Sequence, residues 1–268
     1  MATEIIDERL IGAVHLRALT RRGLDHDPTA EHQAVQAGTL DALMAGGYDG
    51  DVTLAEVLRL GDTGIGTIQH LAGEMIVVDG TPWLIDADGI VTEIPTSTKT
   101  PFAVVCQFSA TVTSQLDHGL DYGSFLAALD VLAPESVPIL AVRAHGTFSD
   151  LSLRSVRRQH HPYPPLSEVV QSQTSFSVPK STGTIVGFRF PDATAGLEVP
   201  GYHLHFLDDD RTIGGHVMSL TADQVVVELD HCDDLHVELP PGVSLGSPGA
   251  ADTEAIAAVE GRGGRSPS

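Results

Sequence analysis

Between Met75 and Ile94 the chain carries three short apolar runs, Met75 to Val78, Trp83 to Ile85 and Ile90 to Ile94, separated by Asp79-Gly80 and by Asp86-Ala87-Asp88-Gly89. Both separators are hairpin turn signals, since Asp and Gly tolerate the positive φ that tight reverse turns demand. Runs this short bounded by such turns suit strands and not helices. The segment therefore predicts an antiparallel meander, and with it a fold built around hairpins.

The rest of the chain mixes the two element types. Gly38 to Leu60 reads as helical: Leu40, Leu43 and Met44 make one apolar face, and Thr53 with Glu56 forms a capping box ahead of Leu54, Val57 and Leu58. Phe102 to Phe108 reads as a strand, Phe125 to Leu132 as a helix, Pro138 to Arg143 as a buried strand and Leu166 to Val170 as a short helix. Between Gly146 and Gln159 the pattern is irregular or extended. Ile185 to Phe190, Tyr202 to Phe206, His216 to Leu220, Val225 to Leu229 and Leu235 to Leu239 make a second β-rich region. The expected class is α+β, with mixed but mostly antiparallel sheets, a few helices and two β-rich lobes. Residues 1–33 read as an extension outside the core or a short helix, 34–145 as an N-terminal lobe, 146–240 as a C-terminal β-rich lobe, and 241–268 as a tail with a helical turn at Thr253 to Val259.

Charge narrows the partners. Lys and Arg number 15 against 36 Asp and Glu in 268 residues, a formal charge of −21. That balance disfavours nucleic acid and anionic membrane surfaces, which are bound through basic clusters. Cys106 and Cys232 stand apart with no C-x-x-C spacing, no apolar run approaches membrane-spanning length, and Met1 to Leu10 hold Glu4, Asp7 and Glu8 where a leader would be basic then apolar. A cytoplasmic location is the expectation.

The second lobe carries a metal-like pattern. In the strand Gly201-Tyr202-His203-Leu204-His205-Phe206, His203 and His205 project to the same face. If the chain turns back between Asp208 and Gly215, His216 lands beside them. Three neutral imidazoles with an open position describe a catalytic zinc site better than a closed structural one. The competing reading is chance, because 13 His are scattered through the chain and one H-x-H is unremarkable. His70, His145, His231 and His236 have no partner at ligand spacing and stay outside the candidate set.

Several further runs carry a resemblance. Tyr48-Asp49-Gly50-Asp51, Gly64-Ile65-Gly66-Thr67, Gly73-Glu74-Met75-Ile76-Val77-Val78-Asp79-Gly80, Thr100-Pro101-Phe102-Ala103, Gly146-Thr147-Phe148, Pro162-Tyr163-Pro164-Pro165-Leu166, Gly183 to Phe188, Pro200 to Phe206, Gly214 to Val217 and Leu235 to Pro240 follow one another in the order seen in α-acetolactate decarboxylases. The sequence resembles that family from about Gly38 to Glu260. Met1 to Gln33 and Arg262 to Ser268 show no family pattern. The resemblance implies decarboxylation of 2-acetolactate, a 2-hydroxy-3-keto acid, to acetoin at Zn2+ bound by His203, His205 and His216. It further implies catalytic roles for Glu74, for Arg154, which also binds substrate, and for a C-terminal Glu matched to Glu260. Thr67 matches a substrate-adjacent Thr. The short meander offers edge strands that need cover, and similar decarboxylases associate through the N-terminal sheet, so a symmetric homodimer is expected.

Such residues suit such chemistry. Loss of carbon dioxide leaves an electron pair that needs an immediate sink, and the neighbouring ketone provides one as an enediolate if a metal stabilises the developing charge. The enediolate must then gain a proton from one face, a task for a desolvated carboxyl such as Glu74. Two other readings remain at this stage. Cupin-like dioxygenases or isomerases also use H-x-H with a following carboxylate, here Asp209, although their last His usually lies further on than His216. In a non-catalytic binding module, zinc would only support the fold. Glu74 and Arg154 would then be ordinary surface charges.

Overall fold

The computed structural model describes His15–Leu19 and residues 32–133 and 138–238. In chain order its elements begin with β1 (His15–Leu19), β2 (Gln33–Ala37), α1 (Leu40–Met44), β3 (Val52–Thr53), α2 (Leu54–Val57), β4 (Thr63–Thr67), β5 (Glu74–Val78), β6 (Thr81–Ile85) and β7 (Val91–Glu93). They continue with β8 (Lys99–Thr100), β9 (Phe102–Cys106), β10 (Val112–Gln115), β11 (Leu120–Asp121), α3 (Tyr122–Leu132), β12 (Ile139–Ser155) and α4 (Leu166–Val169). The last are β13 (Thr174–Phe190), β14 (Gly201–Asp208), β15 (Gly214–Cys232) and β16 (Asp234–Glu238).

The expected meander is β5-β6-β7. Asp79 and Gly80 join its first two strands at φ 50° and 75°, the doubly positive pair that suits a tight hairpin. It forms one edge of an eight-stranded sheet ordered β1-β16-β2-β9-β4-β5-β6-β7. Only β16 runs parallel to its neighbours β1 and β2; the other pairs are antiparallel. The second sheet is ordered β10-β15-β12-β13-β14, with β11 also on β15. Because β14 pairs with β15 as well as with β13, this ladder closes on itself. The mostly antiparallel α+β class read from the sequence is the class found.

Alternation along the strands builds the layers. On β12, Ile139 and Ala141 face the first sheet and pack with Ile65, Ile76, Val104, Val186 and Phe188. The intervening Leu140, Val142 and Ala144 face the other way, toward Phe125 and Leu129 of α3 and Phe206 of β14. On the far side of the first sheet, Leu54 and Val57 of α2 cover Val35, Val77 and Val105. The capping box is present, with Thr53 Oγ1 accepting from the Glu56 N–H at 3.3 Å and Glu56 Oε2 accepting from the Thr53 N–H at 2.8 Å. Among the described residues no helix is long and apolar enough to cross a membrane.

Of the stretch read as irregular or extended, Gly146 to Ser155 is the second half of β12. Register shifts against β15 at Thr147/Phe148, Ser149/Ser152 and Ser152/Leu153 break the period-two pattern and hide the strand from a reading by alternation. Likewise, the two runs at His216 to Leu220 and Val225 to Leu229 are one strand, β15. The boundary expected at residues 145 and 146 lies within β12, and β16 from the second expected lobe sits in the first sheet.

Gly187 of β13 lies against the strand that carries the histidines: an added Cβ would come 2.0 Å from the His203 carbonyl oxygen and 2.9 Å from the Leu204 Cα. Both are backbone atoms, so the clash is relieved only by moving β14. Gly187→Ala is expected to cost about 1–3 kcal/mol or more by overpacking, read from urea denaturation, and to weaken metal retention in parallel. Unchanged stability would show that β14 shifts freely there.

Candidate metal centre

The hairpin of β14 and β15 brings the three histidines together. Asp208 ends β14 and holds the turn: its carboxylate accepts the Thr212 and Ile213 N–H groups at 2.7 and 2.8 Å and the Thr212 hydroxyl at 2.7 Å. The chain returns with His216 directly opposite His205, and on its other side His216 is registered with Arg154 of β12. One nitrogen from each of His203, His205 and His216 lies within 4.8 Å of the others.

These donors suit a metal ion. His205 Nδ1 donates to the Met75 carbonyl at 2.8 Å, which leaves its Nε2 with the lone pair, aimed 3.2 Å from His203 Nε2. That separation is close to the ~3.3 Å edge of a tetrahedron with metal–nitrogen bonds of about 2.0–2.1 Å. His205 is fully buried, and desolvation holds its pKa well below the ordinary imidazole range; His203 and Arg154 push the same way, and only the Met75 bond opposes. Burial thus keeps His205 in the neutral form that ligates metals.

Three other predicted residues, Glu74, Arg154 and Thr67, share a cleft with this cluster. Glu74, the first residue of β5, places Oε2 3.5 Å from His205 Nε2 with its side chain 12 % exposed. Arg154 is buried, and its Nη1 donates to Gln173 Oε1 at 2.8 Å. Thr67 ends β4; its hydroxyl donates to the Gly73 carbonyl at 2.7 Å, while its own carbonyl accepts from Thr100 Oγ1 at 2.7 Å. Thr67, Glu74, Arg154, His203 and His216 all line one cleft, whose remaining wall is largely apolar: Leu40, Leu43, Leu71, Phe102, Val156, Leu166, Val170 and Val199. A few polar groups converging in an apolar cleft suit a small organic substrate. Glu260 and the turn expected at Thr253 to Val259 lie outside the described residues.

Two parts of the site have no sequence signal. Gln173 meets Arg154 from across a hairpin, and the Met75 carbonyl is a backbone group. The apolar face of α1 was legible as a face, but nothing in its spacing says that it lines a cleft. Asp209, the carboxylate a cupin-like set requires, instead faces the exposed His145 at 3.2 Å.

The family model described as "Alpha-acetolactate decarboxylase" matches residues 35–244. The chain belongs to the alpha-acetolactate decarboxylase family. It is 43% identical to the alpha-acetolactate decarboxylase of Methylococcus capsulatus over 210 residues, which is 78% of this chain and 81% of that protein. It is 40% identical over 205 residues to that of Methanosarcina mazei, covering 76% and 71% of the two chains. The crystal structure of the alpha-acetolactate decarboxylase from Bacillus subtilis strain 168 superposes with a TM-score of 0.81 at 32% identity, covering 85% of this chain and 99% of that one. The family match takes in strands of both sheets and leaves β1 outside it.

Proposed function

We propose that the protein decarboxylates 2-acetolactate to acetoin, using a zinc ion held by His203, His205 and His216. The observation that carries this reading is the three-imidazole cluster, two of its rings buried, opening onto the same cleft as Glu74, Arg154 and Thr67. When bound, zinc supplies the Lewis acidity that favours negative charge on neighbouring substrate oxygens.

The side chains account for the remaining steps. Arg154, held by Gln173, orients a substrate oxygen through a charge-assisted bond. A tight grip on the departing carboxylate would stabilise the ground state and slow the reaction, so orientation is its better role. The Thr67 hydroxyl spends its proton on Gly73 and therefore offers lone pairs to a substrate hydroxyl. As the carbon–carbon bond breaks, its electron pair passes into the adjacent ketone. Glu74 in its acid form then gives its proton to the carbon that carried the carboxylate, and the ketone re-forms. The apolar wall keeps bulk water from competing as a donor. The direct test is acetoin formation from racemic acetolactate with and without chelator. Loss with chelator and recovery on adding zinc support the reading, and undiminished turnover by metal-free protein sinks it.

The reading includes Glu260 as a group that folds back toward the cleft and orients the reacting oxygens. Truncation after Ala258 is then expected to lower acetoin production at least roughly tenfold while leaving the melting temperature nearly unchanged. Full activity would remove Glu260 from the site. It also includes a homodimer, supported by the three-residue edge strand β7 and the exposed Ile90 beside it. Light scattering should report twice the chain mass at micromolar concentration.

A further inference from the structure

A second group of metal-ligating side chains lies at the opposite end of β15 from His216. His231 and Asp230 stand at the close of β15, and His32 just precedes β2, where its backbone carbonyl accepts the Asp233 N–H at 2.9 Å. One potential ligand atom from each of His32, Asp230 and His231 lies within 4.8 Å of the other two. We propose that these three residues form a second site for a divalent first-row transition ion such as zinc, separate from the cleft.

The environment of Asp230 is the first reason. It is completely buried, its Oδ2 accepts the Ser109 N–H at 2.9 Å, and its Oδ1 faces His32 Nδ1 at 2.7 Å. Among the described residues no Lys or Arg pairs with it, so compensation for a buried carboxylate rests on the Ser109 N–H and one partly exposed imidazole. A bound cation would provide that compensation. His231 is the second reason: its Nδ1 is buried and makes no hydrogen bond among the described residues, while its Nε2 lies 3.9 Å from Asp233. The rings of His32 and His231 stack at 4.1 Å and 14°, so both imidazoles are already held side by side. Each histidine side chain is 28% exposed, which gives an ion a route from solvent and leaves room for water as a further ligand.

Two imidazoles and one carboxylate are borderline donors that suit zinc, cobalt or nickel better than magnesium or calcium. Uptake replaces the proton between His32 and Asp230 and opens their 2.7 Å contact to the ~3.3 Å expected of two tetrahedral ligands. The ion would tie the end of β15 to the start of β2 and, through Ser109, to the segment after β9. The competing reading is a hydrogen-bonded stack that joins the same segments without metal.

Metal titration separates the two. Chelator-stripped full-length protein, titrated with zinc and analysed by mass spectrometry of the metal, should take up two equivalents per chain. His231→Gln and His32→Gln should each take up one and retain wild-type acetoin formation in saturating zinc. His205→Ala should lose the other equivalent and keep this one, so the site in the cleft and the site at β15 fail independently. Excess zinc should also raise the melting temperature of His205→Ala but not of its double variant with His231→Gln. A wild-type chain that stops at one equivalent, or a second equivalent that survives in both His32→Gln and His231→Gln, overturns the proposal.

Discussion

His205→Ala is expected to lose its tightly held zinc and to form acetoin at least about 10³-fold more slowly. The size follows from the few kcal/mol that a metal contributes to stabilising developing charge, at 1.36 kcal/mol for each tenfold in rate. Among the three histidines His205 is the most constrained: it is fully buried, tied to the Met75 carbonyl and opposite His216 across the hairpin. Alanine therefore also leaves that carbonyl without its partner, at about 1–3 kcal/mol, so some loss of stability accompanies the loss of metal. His205→Gln, which keeps a donor within reach of Met75, separates the two effects. If both variants bound zinc and turned over normally, the cluster would not be the metal centre.

Glu74→Gln is the second large effect. Glutamine keeps the shape of the side chain and its place 3.5 Å from His205 but has no acidic proton to give. The expected result is a fall in kcat of about 10²–10⁴ with KM and zinc content little changed. A rise in KM alone would make Glu74 a binding group, and loss of zinc would make it a ligand. The handedness of the acetoin provides an independent readout, because a misplaced donor leaves protonation to water and erodes any preference for one face of the carbon.

The parts of the molecule legible in the sequence are those governed by local rules. The Asp79-Gly80 turn, the Thr53–Glu56 capping box and the His203/His205 face each depend on residues a few positions apart. His216 was legible because the Asp-rich turn before it is short, and Glu74 and Arg154 because the family resemblance points to them. What stayed hidden depends on distant pairing. The continuity of β12 was masked by its bulges, Gln173 reaches Arg154 across a hairpin, and His231 had no partner at ligand spacing because His32 lies 198 residues from the neighbouring Asp230.

The position of β16 has consequences during synthesis. Strand β2 waits beside an open edge from the moment it emerges, since its parallel neighbour, residues 234–238, is among the last described segments to leave the ribosome. The eight-stranded sheet cannot be completed from the N-terminal end as the nascent chain lengthens, and β1 has no place to dock until the same moment. Folding of the first sheet is thereby coupled to the emergence of residues 234–238, and the lengthy exposure of β2 is a period in which chaperones and stray strands compete for its edge. Premature termination before Asp234 should yield aggregation-prone fragments in place of a working half.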